Sequence, residues 1–262
     1  MIKKSTVIIF FIALFLTSSV FAYEKNNNEI WNSDEGLKRL NRSHFNNDFY
    51  QLANFYQPQI NPFFCSAATS TIILNALDYG NIPNQKELDT VSQKPLSKKG
   101  IEFHLYSQKT FFNDKTEVIK KLEIIELKTP KEKINDQEVY DPGLAIADLV
   151  KILTQVYKLK AELVYAEKND EESIKKFRAT AKKILKDKKS FLIINFDGKI
   201  LGQKTRGHIS PIAAYDEESD SLLILDVALH KNQWYFAPLT QVFAAMNTKD
   251  ENQFRGYITV SR

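Results

Sequence analysis

Residues 59–77 read QINPFFCSAATSTIILNAL. Asn61-Pro62 looks like a helix start, with Pro in the first turn, where its missing N–H costs nothing. Phe64, Ala68, Ile72 and Ala76 then recur every four residues, which is one face of a helix. Tyr79-Gly80-Asn81-Ile82-Pro83 stops it. Within about the first turn stands Cys65, the single cysteine of the 262-residue chain. The free N–H groups and the dipole of a helix start favour a thiolate there. Ser66, Ala67 and Ala68 are small and leave room above the sulfur. Against this stands the ordinary behaviour of a free cysteine as a small buried hydrophobe. These local features alone do not decide between nucleophile and core residue.

A thiolate nucleophile needs a base, and the base needs an orienting group. The histidines are His44, His104, His208 and His230. His208 opens the apolar strand His208–Tyr215, which Asp216-Glu217-Glu218-Ser219-Asp220 joins to a second strand, Ser221–Ala228. That second strand carries Asp226 inside Leu222-Leu223-Ile224-Leu225-Asp226-Val227. A carboxylate in such a run is rarely buried without a partner. If the five-residue loop makes Tyr215 face Ser221, then Ser210 faces Asp226 and His208 faces Ala228. His208 and Asp226 become diagonal neighbours on one face, within side-chain reach. A one-residue slip sends them to opposite faces. Without Cys65, this pair reads as a histidine that satisfies a buried acid. Acyl transfer also needs donors for an oxyanion. Gln59 and Gln57 both stand on the loop entering the helix, and spacing does not choose between them.

The remaining chain bounds the answer. Hydrophobic residues make up 43% and aromatics 12%, enough to bury a sizeable interior and to exclude a disordered or low-complexity chain. One cysteine forbids an intrachain disulfide and a Cys-based zinc or iron–sulfur site. A net charge of +4 makes no case for nucleic acid. Residues 1–22 have the parts of a secretory signal: two lysines near the start, an apolar run Val7–Leu16 and Val20-Phe21-Ala22 at the cleavage site. The run is shorter than the ~20 residues of a spanning helix. The expectation is therefore a secreted or periplasmic chain, with no membrane contact after cleavage. Residues 23–47 read as a polar arm, extended or with a short helix, and residues 48–262 as the catalytic domain. Within it, residues 48–189 are mainly helical, including Leu144–Tyr157 and Glu172–Lys188. Residues 190–262 are β-rich, with strands Phe191–Phe196, His208–Tyr215, Ser221–Ala228 and Arg255–Ser261. Helices first and an antiparallel sheet second is an α+β layout.

Several ordered segments resemble the phytochelatin synthase family, most closely its short bacterial members. They are Gln59-Ile60-Asn61-Pro62-Phe63-Phe64-Cys65, Gln108-Lys109-Thr110-Phe111-Phe112, Gly202-Gln203-Lys204-Thr205-Arg206-Gly207-His208-Ile209-Ser210-Pro211-Ile212 and Ile224-Leu225-Asp226-Val227-Ala228. Trp234, Ala245-Met246-Asn247-Thr248 and Arg255-Gly256-Tyr257 follow in order. The resemblance implies a papain-like fold with Cys65 as nucleophile, His208 as base and acid, Asp226 as orienting carboxylate and Gln59 as oxyanion donor. It implies cleavage of the Cys–Gly bond of glutathione, or of a related γ-glutamyl peptide, through a γ-glutamylcysteinyl thioester. Water or a second glutathione then takes the acyl group, giving γ-glutamylcysteine or phytochelatin. No cofactor is implied, and a heavy-metal ion enters only as a thiolate complex of the substrate. The chain departs from the family pattern at Ser66, usually Gly, which narrows the pocket. It also departs at Gly198-Lys199 and Leu229, which stand where Arg is usual. Arg255 is open to two readings, a binder of a substrate carboxylate or a surface charge on the last strand. Two rivals remain: an exported papain-like peptidase or amidase for another small peptide, and a non-catalytic exported binding protein. Oligomeric state is left open.

Overall fold

Residues 190–197 are buried at every position but the last because both faces of the sheet they belong to are covered. The computed structural model describes residues 27–82, 105–250 and 252–262. The signal expected at 1–22, the start of the arm and His104 lie outside the described residues. Seven strands form one antiparallel sheet: β1 (Glu29–Ile30), β4 (Lys160–Tyr165), β5 (Ser190–Asp197), β6 (Gly207–Asp216), β7 (Ser221–Ile224), β8 (Tyr235–Pro238) and β11 (Gly256–Ser261). Their order across the sheet is β1-β8-β7-β6-β5-β11-β4. Two small hairpins stand apart, β2 (Glu132–Ile134) with β3 (Gln137–Val139), and β9 (Lys249–Asp250) with β10 (Gln253–Phe254). The α+β expectation holds.

Side chains alternate between two cores, as the period of a strand demands. Phe191 and Ile193 enter one core with Ile258, Val260 and Leu223, while Leu192, Ile194 and Phe196 enter the other with Leu222, Ile224 and Tyr257. The first core is covered by α1 (Asp34–Arg42), α2 (Asn47–Asn54) and α3 (Cys65–Leu77), through Leu40, Leu52, Ile72 and Ile73. The second is covered by helices Glu171–Lys186 and Leu239–Met246, through Phe177, Leu185, Val242 and Phe243.

The hairpin of β6 and β7 differs instructively from its sequence reading. The loop is tighter by one residue, so Tyr215 pairs with Leu222 and not with Ser221. A bulge between Ile212 and Ala214 then restores the expected register, and Ile212 pairs with Ile224. Ala213 and Ala214 both enter the first core for this reason. The two departures cancel before the chain reaches His208.

Other elements also differ. The polar segment before residue 48 supplies an edge strand, β1, and α1, capped by the Ser33 hydroxyl on Gly36 N–H. β4 arises in the mainly helical half; only Ala161, Leu163 and Tyr165 pack inward, so its apolar signal is thin. The helix expected over 144–157 is α-helical only at Ile146–Lys151 and widens to a π-turn over Ile152–Val156. No helix among the described residues is long and apolar enough to cross a membrane.

Candidate active site

Cys65 is the first residue of α3, three positions after the expected start. Asn61 and Pro62 form a turn ahead of the helix, in which the Asn61 side chain accepts from Phe63 N–H at 2.9 Å. The α3 N-terminus has no side-chain cap, so free N–H groups remain beside the sulfur. Ser66 to Asn75 are all buried, which makes α3 a central helix rather than a one-faced one. Thr69, one turn beyond Cys65, donates to Ile209 O at 3.1 Å and ties α3 to the strand beside His208. Ser66 is wholly buried and does not line the cavity at Cys65. The expected narrowing of the pocket by Ser66 is therefore corrected.

His208 and Asp226 meet as the hairpin register requires. His208 Nε2 lies 2.7 Å from Asp226 Oδ1, which leaves Nδ1 as the ring nitrogen for the sulfur side. Both residues are buried, at 4% and 0% exposure, and the ring interacts with the half-buried Cys65 side chain. Asp226 Oδ1 also accepts from Ala228 N–H at 2.8 Å, and Oδ2 accepts from the Asn232 amide at 2.9 Å. Burial opposes charge on both groups. It is outweighed at His208, raised by Asp226 and then by Cys65, and at Asp226, lowered by His208, Ala228 and Asn232. Phe196 stands edge-on to the imidazole, with ring centroids 5.5 Å apart, and fixes the ring plane.

Gln59 is positioned on the loop entering α3, its N–H bonded to Val227 O at 2.8 Å. Its side-chain amide donates to Asn61 O and Pro62 O at 3.0 and 3.1 Å. It reaches an oxyanion only by releasing one of these carbonyls. Gln108, wholly inside, clamps the same loop: it accepts from Ile60 N–H at 3.0 Å and donates to Pro58 O at 2.9 Å. Asn232 carries no local motif, Gln108 stands in a family-like segment without a role assigned to it, and the contacts of both depend on chain paths that sequence spacing does not reveal.

Beside Cys65 and His208 opens a cavity of about 610 Å³, with Pro62, Phe63 and Asn195 in its wall. Arg255 also lines it. It is 7% exposed, so the reading as a surface charge is corrected. Its guanidinium donates to Thr248 Oγ1 at 3.1 Å, to Lys249 O and to Asp250 Oδ1 at 3.2 Å. Gly207 makes room for it, because a Cβ there would lie 2.8 Å from Arg255 Nη2.

The family model described as Phytochelatin synthase matches residues 25–257. The chain belongs to the phytochelatin synthase family. Its helix-on-antiparallel-sheet architecture is consistent with that family's α+β, papain-like catalytic domain. It is 28% identical over 216 residues to glutathione gamma-glutamylcysteinyltransferase 3 of Lotus japonicus, covering 82% of this chain and 37% of the relative. It is 26% identical to glutathione gamma-glutamylcysteinyltransferase 2 of Arabidopsis thaliana over 82% of this chain and 40% of that relative. A shorter stretch of 95 residues, 36% of this chain and 19% of the relative, is 39% identical to glutathione gamma-glutamylcysteinyltransferase 1 of Triticum aestivum. The chain thus spans less than half the length of these curated relatives.

Proposed function

We propose that this phytochelatin synthase family member is an exported cysteine acyltransferase and hydrolase that cleaves the Cys–Gly bond of glutathione. The observation that carries this reading is the contiguous line Asp226–His208–Cys65, opening on a cavity at a helix N-terminus. The family match and the names of the relatives support glutathione as the donor.

In the proposed reaction Cys65 Sγ attacks the carbonyl carbon of the Cys–Gly bond. A C–S bond forms, and the carbonyl electron pair moves to oxygen. The Cys65 N–H and the Gln59 amide stabilise that oxyanion; loss of one such donor typically lowers turnover ~10²–10³-fold. His208, held protonated by Asp226, gives its proton to the glycine nitrogen as the C–N bond breaks. Glycine leaves and γ-glutamylcysteine remains as a thioester. Water then attacks, His208 takes its proton, and the C–S bond breaks to restore the thiol. The amine of a second glutathione would give phytochelatin by the same step, and we expect water to prevail. The reaction so written requires no cofactor; a heavy metal would arrive bound to substrate thiolates. The apolar segment of residues 1–22 supports export. Purified chain incubated with glutathione should release glycine, and Cys65→Ser and Cys65→Ala should release none. Wild-type rates in either variant would remove Cys65 from the chemistry.

A further inference from the structure

His208 and Asp226 are mounted differently. His208 lies within β6 and pairs with Phe196, so the sheet fixes its main chain. Asp226 lies beyond the end of β7, whose last ladder residue is Ile224. Leu225 N–H still reaches Pro211 O at 3.1 Å. Past that point a different segment, the loop that enters α3, holds the main chain of the acid. Tyr56 Oη donates to Asp226 O at 2.7 Å, and Gln59 N–H donates to Val227 O at 2.8 Å. Two successive carbonyls of the acid-bearing turn are thus tied to the loop that runs on to Cys65. The Tyr56 ring is itself fixed. It stands edge-on to Trp234 with centroids 4.7 Å apart, and Trp234 packs on Trp31 at 5.1 Å and on Phe49 at 6.1 Å. Burial pushes the Tyr56 phenol up to about 12, so the hydroxyl keeps its proton and stays a donor at neutral pH.

Resting on the roles proposed for His208 and Asp226, we infer that Tyr56 is a positioning residue for that pair: its hydroxyl fixes the main chain of Asp226, and so the contact of carboxylate with imidazole, without touching a reacting atom. Two arguments favour this over plain packing. The ring alone fills the space beside Trp234, whereas the hydroxyl reaches a carbonyl that the ladder does not hold. The contact it supports is also sensitive to placement. A hydrogen bond of 2.7 Å between His208 and Asp226 weakens steeply when its angle opens. The short side chain of an aspartate passes any drift of its main chain straight to that bond.

Tyr56→Phe keeps the ring against Trp234 and removes only the hydroxyl, and two readouts follow its effect. The first is the titration of the His208 ring by NMR, in chain carrying isotope-labelled histidine, with the signal assigned by its loss in His208→Asn. Asp226 raises that imidazole, so a loosened contact should move the titration down by about half to one pH unit, the range of one neutral hydrogen bond. General loosening of the fold away from the pair would leave it in place. The second is glycine release from glutathione, where kcat should fall about three- to tenfold, the same range, with KM within twofold. An unmoved His208 titration, or kcat within twofold of the unmodified chain, would overturn the role of Tyr56 while leaving the proposed function intact. An unmodified chain that releases no glycine would overturn the proposed function, and the titration alone would then decide whether Tyr56 holds the pair.

Discussion

Asn232→Ala isolates the support beneath the His208–Asp226 pair. Asp226 accepts three hydrogen bonds: from His208 at 2.7 Å, from Ala228 N–H at 2.8 Å and from Asn232 at 2.9 Å. The substitution strips the one on Oδ2 and leaves that oxygen bare in a buried site. A hydrogen bond to a charged group contributes about 1.5–3 kcal/mol, which corresponds to roughly one to two pKa units. Asp226, now held below the ordinary carboxylate range, should rise by that amount. A depressed carboxylate contributes stability that is present above its unfolded pKa and lost as pH falls through the folded one. The variant should therefore begin to unfold in acid at a higher pH than the unmodified chain. The acid limb of kcat/KM for glycine release should move up by about the same one to two units. Asn232→Asp should be worse, since two carboxylates at hydrogen-bond distance do not both ionise. Profiles of activity and of ellipticity against pH measure both effects. An acid limb that stays in place, with kcat/KM within twofold of the unmodified chain, would refute the reasoning that Asn232 holds the carboxylate.

Three further outcomes follow from the same geometry. Asp48 is fully buried with neither carboxylate oxygen hydrogen-bonded, and burial, aided by Asp187, pushes it up to about 9. Its folded value exceeds its unfolded value, so the fold loses stability as pH rises from about 4 towards 9; Asp48→Asn should flatten that slope in melts taken across the range. Gly207→Ala should press a Cβ onto Arg255 Nη2 and lower kcat/KM about tenfold, a shift of ~1.4 kcal/mol, with the thermal midpoint little changed. Gln108→Ala frees the loop that carries Gln59 and should lower kcat more than it raises KM, because the oxyanion contact proposed for Gln59 is made in the transition state.

The candidate site residues are more legible in the sequence than the architecture. Cys65, His208 and Asp226 were readable because each stands out locally: a lone thiol before small residues, a histidine opening an apolar strand, and an acid inside one. The pairing of His208 with Asp226 follows from an idealised hairpin, and the bulge at Ala213 rescues a register that the shorter turn shifts by one. Neither the turn nor the bulge leaves a clear mark in an apolar run. β4 escaped notice because an edge strand buries every second residue only partly, and β8 because four residues are too few for a period. Asn232 reaches Asp226 through a turn closed by Lys231 and Asn232 N–H on Ala228 O, at 2.7 and 3.0 Å. An asparagine six residues after a buried acid is too common a spacing to signal such a bond. Arg255 was ambiguous for a different reason: its burial comes from the β9–β10 hairpin folding over it, which strand patterning does not express.

In the proposed reaction Cys65 becomes acylated by glutathione with loss of glycine. Rapid acid quench of the purified chain after mixing with glutathione, followed by mass spectrometry of the intact protein and of the peptide bearing Cys65, tests this directly. A γ-glutamylcysteinyl adduct should form on Cys65 with one equivalent of glycine, decay to γ-glutamylcysteine and be absent from Cys65→Ala. Glycine release at full rate with no adduct on Cys65, or an unmodified chain that leaves glutathione intact, would contradict it.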